Sequence, residues 1–316
     1  MNFQILSSEP RLLLEATLAP IQGTRFQPTG FPDLGAAEFS APDGTRMLLV
    51  ESAQSMANRL ENVCWDEGRG DWVEPLQGIP HVVTELPDGT RTSSVQEAHR
   101  LNSPYITNSD GFQQIQQAIG FEDNKPFDRR KLAEALLRYD PNSLIHGIFL
   151  EKVGGTVRLP RALSAFIEAR DVEVAPSGGV KVDRVQPATT GENTPYGKAA
   201  EGYGNVPYHR DEYAAGDIRA YFNLDLALIR GLGLPEQAQR FLIGFALFKI
   251  QKLLAEGMRL RTACDLEVQD VQVKRPAGWE LPDLNALSEA MPALIEEASV
   301  AFNTPRTTML KYAKKK

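Results

Sequence analysis

The 316-residue chain contains only two cysteines, Cys64 and Cys264, and four histidines. Each cysteine sits in an apolar pattern, so two buried thiols fit better than a disulfide, as expected of a cytoplasmic protein. His81 and His99 have no cysteine or carboxylate at metal-ligand spacing, and His146 lies in an apolar run where a satisfied core histidine is the ordinary reading. No metal site is expected. No stretch approaches the roughly 18–20 uninterrupted apolar residues of a membrane span. The segment Met1 to Pro10 has no basic region ahead of an apolar run, which excludes a secretory signal. There is no GxGxxG fingerprint, P-loop, nucleophile elbow or zinc pattern, and Gly202-Tyr203-Gly204 is too short to hold a phosphate by itself; no cofactor and no catalytic residue are expected. A basic excess is missing too. The net charge of −7 speaks against a nucleic-acid binder unless the basic residues line one groove and the acids cover the other surfaces.

What is present is an ordinary globular composition, 42% hydrophobic, enough for a sizeable core. The chain is organised around Met47 to Asn62. Met47 to Val50 reads as a short strand running into a helix with Ser52 as N-cap. Ala53, Met56, Ala57, Leu60 and Cys64 form its apolar stripe. The other face carries Gln54, Ser55, Asn58, Arg59, Glu61 and Asn62. Two uses are open to that face: plain solvation, or a grip on a phosphate backbone beside the unpaired N–H groups of a helix N-terminus.

Leu12 to Ala19 reads as a first core strand, followed by a Gly- and Pro-rich loop from Gly23 to Gly35. In that loop Arg25 accompanies Phe26 and Phe31, rings that either stack on bases or tuck the loop onto the core. Asp43-Gly44 predicts a hairpin over 38–50. Residues 66–130, broken repeatedly by Pro and Gly, read as an insertion on the core domain. Helices are predicted over 111–119 and 128–138, and a buried strand over 144–150. A further helix is predicted over 158–169, with Arg158 and Arg161 near its start, where cations suit the helix dipole only if a phosphate sits there too. Val172 to Ala175 and Val180 to Val185 read as a hairpin around Pro176-Ser177-Gly178-Gly179. The long segment up to Arg210 interleaves basic and tyrosine residues. A strand over 218–226, a buried helix over 236–256, a strand pair over 258–273, a helix over 284–302 and a frayed basic tail complete the chain. Without its insertions this is strand, helix, strand, strand, helix, strand, the ferredoxin-like β-α-β-β-α-β order of an α+β fold.

The run Leu49-Val50-Glu51-Ser52-Ala53-Gln54-Ser55-Met56-Ala57-Asn58-Arg59-Leu60-Glu61 resembles the signature of CRISPR-associated RAMP proteins. It resembles the backbone ("Cas seven", Csb-type) subunit of the type I-U, or I-G, surveillance complex, Cascade. Two weaker blocks follow in the expected order: Leu159 to Ala169 with Gly178 to Arg184, and Arg259 to Leu266. The resemblance covers most of the chain, from about residue 10 to about residue 275.

It implies an RRM-like core carrying fingers and a thumb. Residues 1–65, 141–170 and 218–275 would form the core, 66–140 a finger-like insertion, 171–217 the thumb hairpin and 276–316 a C-terminal helix with a basic tail. It also implies a non-catalytic subunit of antiviral defence in the cytoplasm, with copies polymerising head-to-tail along the guide (crRNA) so that the guide can pair with a target DNA strand. A large subunit and a 5′-handle or processing subunit would be its other partners. On this resemblance Gln54, Ser55, Asn58 and Arg59 are the leading RNA contacts, with Arg25, Arg158, Arg161, Lys181, Arg184 and Arg210 behind them. Two alternatives stay open: an RNA-cleaving, type III-like backbone subunit using Asp33, and an unrelated small-molecule enzyme of α+β class.

Overall fold

The structure, a computed structural model, describes residues 3–31, 33–121, 127–151, 153, 157–181 and 206–313. The elements that position the site are, in chain order, β1 (Arg11–Pro20), β2 (Glu38–Ser40), β3 (Arg46–Glu51), α1 (Ala53–Asn62), β4 (His81–Glu85), β5 (Arg91–Ser93), α2 (Arg129–Tyr139) and α3 (Asn142–His146). There follow β6 (Ile148–Leu150), β7 (Val157–Leu159), β8 (Leu163–Lys181), β9 (Val206–Asp225), α4 (Glu236–Glu256), β10 (Arg259–Arg261), β11 (Cys264–Arg275), α5 (Leu284–Ala298) and β12 (Thr307–Tyr312).

The main sheet has seven strands in the order β10-β11-β1-β9-β8-β3-β2, antiparallel throughout. The α+β class expected from the sequence is observed. Strict alternation builds its inner face: Leu12, Leu14, Ala16 and Leu18 of β1 are buried, as are Leu163, Ala165, Ile167 and Ala169 of β8 and Ile218, Ala220, Phe222 and Leu224 of β9. Side chains two apart share a face, so each such strand presents one apolar edge to the helices behind it. α4 lies there, packed against α1 and α5, and Phe241, Phe245 and Phe248 are all buried. Gly244 lets α5 approach closely, because a Cβ there would stand 2.6 Å from Leu294 Cδ1.

A second sheet joins distant parts of the chain. β12 pairs in parallel with β4, which pairs with β5, and Ser109–Asp110 adds to the far side of β12. Lys311 and Tyr312, the start of the 311–316 tail expected to fray, are therefore in strand, with the buried Leu310 as anchor; residues 314–316 lie outside the described residues.

Three further expectations are corrected. The helix predicted over 158–169 is the strand β7 followed by the first half of β8. Leu163, Phe166 and Ile167 fit a helical stripe, but Phe166 faces the opposite way, stacking on Tyr221 of β9 with centroids 5.0 Å apart. The period of two wins because β9 supplies an unbroken pairing partner. For the same reason the predicted turn at Pro176 to Gly179 is absent: β8 runs straight through it, Pro176 opposite Asp211 and Gly178 opposite His209. β3 pairs with β8 only over Ile167 to Arg170, so Pro176 sits on a free edge where its missing N–H is tolerated. Lastly, the strand predicted over 144–150 is α3 followed by β6, separated by Gly147 with φ of +74°.

Candidate nucleic-acid interface

α1 starts where β3 ends. Ser52 keeps an extended backbone and its Oγ accepts the Ser55 N–H at 3.3 Å, the N-cap expected from the sequence. Met56, Ala57 and Leu60 face the core. Glu61 does as well. It is 2% exposed, and its carboxylate accepts Arg100 Nε at 2.7 Å, Arg100 Nη2 at 2.8 Å and Asn142 Nδ2 at 2.6 Å. Placing Glu61 on the solvated face was thus wrong. Its position, four residues after Ala57 and three before Cys64, already put it beside the apolar stripe.

Beside the N-terminal half of α1 opens a cleft of about 840 Å³. One wall is α1 itself, through Gln54 and Asn58; another is the β6–β7 ribbon, with Phe149, Arg158 and the following Arg161. His99, Arg100 and Asn102 come from the segment before α2, Arg129 from the start of α2, and His146 from the end of α3. The Arg158 guanidinium lies over the Phe149 ring, 4.5 Å from its centroid. Arg161 fastens the ribbon to the helix, donating from Nη1 to Ala53 O at 3.0 Å and from Nη2 to Gln54 Oε1. The described lining contains four arginines and no aspartate or glutamate. In a chain of net charge −7, that is the segregation of charge a polyanion needs.

The floor is buried and polar. His146 is 1% exposed, and neither ring nitrogen has a hydrogen-bond partner among the described residues. Burial, with the neighbouring cations of Lys249, Arg100 and Arg161, holds its pKa well below the ordinary value, so the ring is neutral at pH 7. Asn58 Oδ1 is likewise buried without a partner among the described residues.

Under the floor, burial pushes the Asp140 carboxyl up from 3.8 to about 7, although the Ser143 hydroxyl donates to it at 2.6 Å and opposes the shift. A carboxyl raised on folding binds a proton between about pH 4 and pH 7 that the unfolded chain has released. Stability therefore falls as pH rises from about 4 to about 7 and is level above that. Asp140→Asn is expected to be more stable than the parent at pH 8 by on the order of 2–4 kcal/mol, and to lose most of that margin by about pH 4. Urea melts of both proteins at the two pH values test this, and a pH-independent difference would contradict it.

The structure brings together Gln54, Asn58, Arg158 and Arg161 of the residues singled out in the sequence. Ser55 is not in the cleft lining; its backbone N–H donates to the capping Ser52 Oγ. Arg59 is not in the cleft lining; its Nη2 donates to Leu260 O at 2.5 Å and lies 3.4 Å from the buried Glu51, which Arg261 also engages. Arg25 and Arg210 share another buried carboxylate, Glu212, at 3.8 and 2.5 Å. Phe26 is buried and exchanges backbone hydrogen bonds with Tyr213, so it tucks the loop onto the core. Lys181 is exposed at the end of β8, and Arg184 lies outside the described residues. Asp33 is exposed and absent from the cleft lining. His99, Arg100, Asn102, Arg129 and His146 were not foreseen. They come from segments remote from α1 in sequence, and no local pattern announces them.

A family model described as CRISPR-associated protein GSU0053 matches residues 12–174, just over half of the chain. The chain belongs to that family. The CRISPR association inferred from the motifs is borne out, and the matched span runs from β1 into β8, leaving out β9, α4, β10, β11, α5 and β12. Among curated proteins, none matches. Solved structures similar to this family member include a chain of a CRISPR RNA-guided surveillance complex in a pre-nicking state, 14% identical, with a TM-score of 0.41 over 90% of this chain and 88% of that one. A second chain of a CRISPR RNA-guided surveillance complex is 14% identical, with a TM-score of 0.39 over 91% and 80%. Csc2 of Thermofilum pendens is 11% identical, with a TM-score of 0.31 over 95% and 83%.

Proposed function

We propose that this protein is a non-catalytic, guide-RNA-binding backbone subunit of a type I CRISPR surveillance complex, acting in the cytoplasm. The observation that carries this is the acid-free arginine cleft at the N-terminal half of α1 in a member of a CRISPR-associated family. Arg129, Arg158 and Arg161, with the amides of Gln54, Asn58 and Asn102, hold the phosphate backbone without reading bases. Base pairing between the guide and the target DNA strand then supplies specificity. Copies stack head-to-tail along the guide, a heterologous contact that gives a filament rather than a closed ring. The large subunit and the 5′-handle subunit complete the assembly.

The fold supports this reading. β1, α1, β8, β9, α4 and β11 follow the chain order β-α-β-β-α-β, and their strands lie in the order β11-β1-β9-β8. In sequence-rank terms that is fourth, first, third, second, the ferredoxin-like arrangement we assign to the core. Beyond Arg170 the paired ends of β8 and β9 continue past β3, and we assign this extension to the thumb.

The test is filter binding of the purified protein to a labelled guide RNA across a salt series, beside a scrambled RNA of equal length. The expected result is sub-micromolar binding, indifferent to sequence, whose logarithm falls with log salt by about 0.7 per phosphate contacted. Absence of binding at low salt would refute the proposal.

A further inference from the structure

The free sides of the main sheet differ in kind. β2, at one end, is three residues long. The extensions of β8 and β9 past β3 and β1 carry Pro176 and Pro207, which offer no N–H to an incoming strand. β11 is different. β10 covers it only at Cys264 and Asp265, and from Glu267 to Arg275 its side away from β1 meets no other strand among the described residues. That stretch contains no proline, and every residue in it is exposed or half-buried. The ladder with β1 slips at Gln269 and at Lys274 and is regular from Asp270 to Val273 between them. Val268, Val271 and Val273, opposite Leu18, Ala16 and Leu14, form a half-buried shelf on the helix side of the sheet. Glu267, Asp270, Gln272 and Arg275 stand on the other face. Unpaired backbone beside an apolar shelf is a template for a further strand.

Charge selects the strand that fits. Acids, Glu267 and Asp270, occupy the first half of this edge, and bases, Lys274 and Arg275, the second. Glu267 and Asp270 accept the neutral amides of Gln269 and Gln272 at 2.8 Å and have no cation beside them among the described residues. Arg275 is exposed, its Nε donating to Glu9 at 3.1 Å. Such a strand repels a parallel copy of itself and matches an antiparallel one. We propose that two copies of this chain pair through antiparallel β11 edges, across a two-fold axis at Val271. One slipped residue lies on each side of Val271, so Glu267 of either copy faces Arg275 of the partner subunit on the polar side. The two Val271 side chains meet on the apolar side. Moving the axis by half a residue would set apolar against polar side chains. The contact is isologous and closes at two copies; it does not depend on the guide grip proposed above.

The experiment is sedimentation of the intact, guide-free protein over a wide concentration range. The expected species are one chain and two chains in a micromolar equilibrium; a monomer throughout, or masses that grow past two chains, overturns the inference. Val271→Cys is expected to give a disulfide-linked dimer in air, because directly opposed residues of antiparallel strands come within the Cα separation a disulfide spans. Val273→Cys, half-buried on the same face but displaced along the strand from its counterpart across the axis, is expected not to; the native Cys64 and Cys264 are buried. Cross-linking at Val273 and not at Val271 overturns the register. Glu267→Arg and Arg275→Glu each set like charges at both ends of the contact and should weaken pairing about tenfold. An equimolar mixture of these two variants restores two opposite-charge pairs and should recover the parent affinity, whereas a mixture no tighter than either variant alone overturns the inference. Thermal melts establish that each variant is folded, and the parent measurement stands without them. No RNA is present in any of these measurements, so their failure leaves the guide-binding reading intact.

Discussion

Arg129→Ala combined with Arg158→Ala is expected to weaken guide-RNA binding by roughly 10- to 100-fold at moderate salt and to flatten the log–log salt dependence by about 1.4. Both side chains line the cleft, and both residues are exposed. Arg158 rests on the half-exposed Phe149 ring, a contact worth at most about 1 kcal/mol at such a site. The fold therefore barely registers their loss, while the cleft loses half of its four guanidinium groups. Arg59→Ala is the informative contrast. Its guanidinium serves Leu260 O and the buried Glu51, so its removal should lower the melting temperature yet leave the salt slope of the surviving folded protein unchanged. Filter binding of the three proteins across a salt series reads both quantities. A slope that flattens with Arg59→Ala and not with the double variant would move the interface to the other side of α1.

Glu61→Ala is expected to destabilise the protein by about 3–5 kcal/mol, the largest single effect anticipated outside the hydrophobic core. Glu61 and Arg100 are 2% and 5% exposed and meet through two hydrogen bonds, with Asn142 donating to the same carboxylate. Removing the acid leaves a buried guanidinium with only Gly147 O, at 3.4 Å, among its described partners, and leaves the Asn142 amide without its acceptor. Removing both charges is a different matter, because their desolvation is then no longer needed. Glu61→Leu combined with Arg100→Met should recover most of the lost stability in urea denaturation. Additive losses would show that the pair is not coupled as the geometry requires.

These residues show where local information ends. Ser52 could be named as an N-cap because its partner N–H is three residues away, and Asp43-Gly44 as a turn because Gly44 needs its φ of +85° whatever surrounds it. Likewise β1 and α4 are fixed by alternating and near-continuous apolar character within a dozen or two residues. Leu163 to Ala169 carries apolar residues that satisfy both a helical and a strand period, and only β9, some fifty residues on, chooses the strand. The same holds for charge. Arg59, Arg158 and Arg161 look alike as letters, yet a buried Glu51 diverts the first while the other two line one wall of a cleft.

By itself, then, the sequence determined the α+β class, the strand-to-helix junction at Ser52, the helix that carries Gln54 and Asn58, and the motifs that mark the family. Each depends on residues within a few turns of one another. The tertiary structure alone decided that Glu61 is inside, that Arg100 neutralises it, and that a cleft with no carboxylate among its described lining residues forms beside α1. Four chain segments far apart in sequence make that cleft, and a local electric field depends on where charges end up rather than on how many the chain contains.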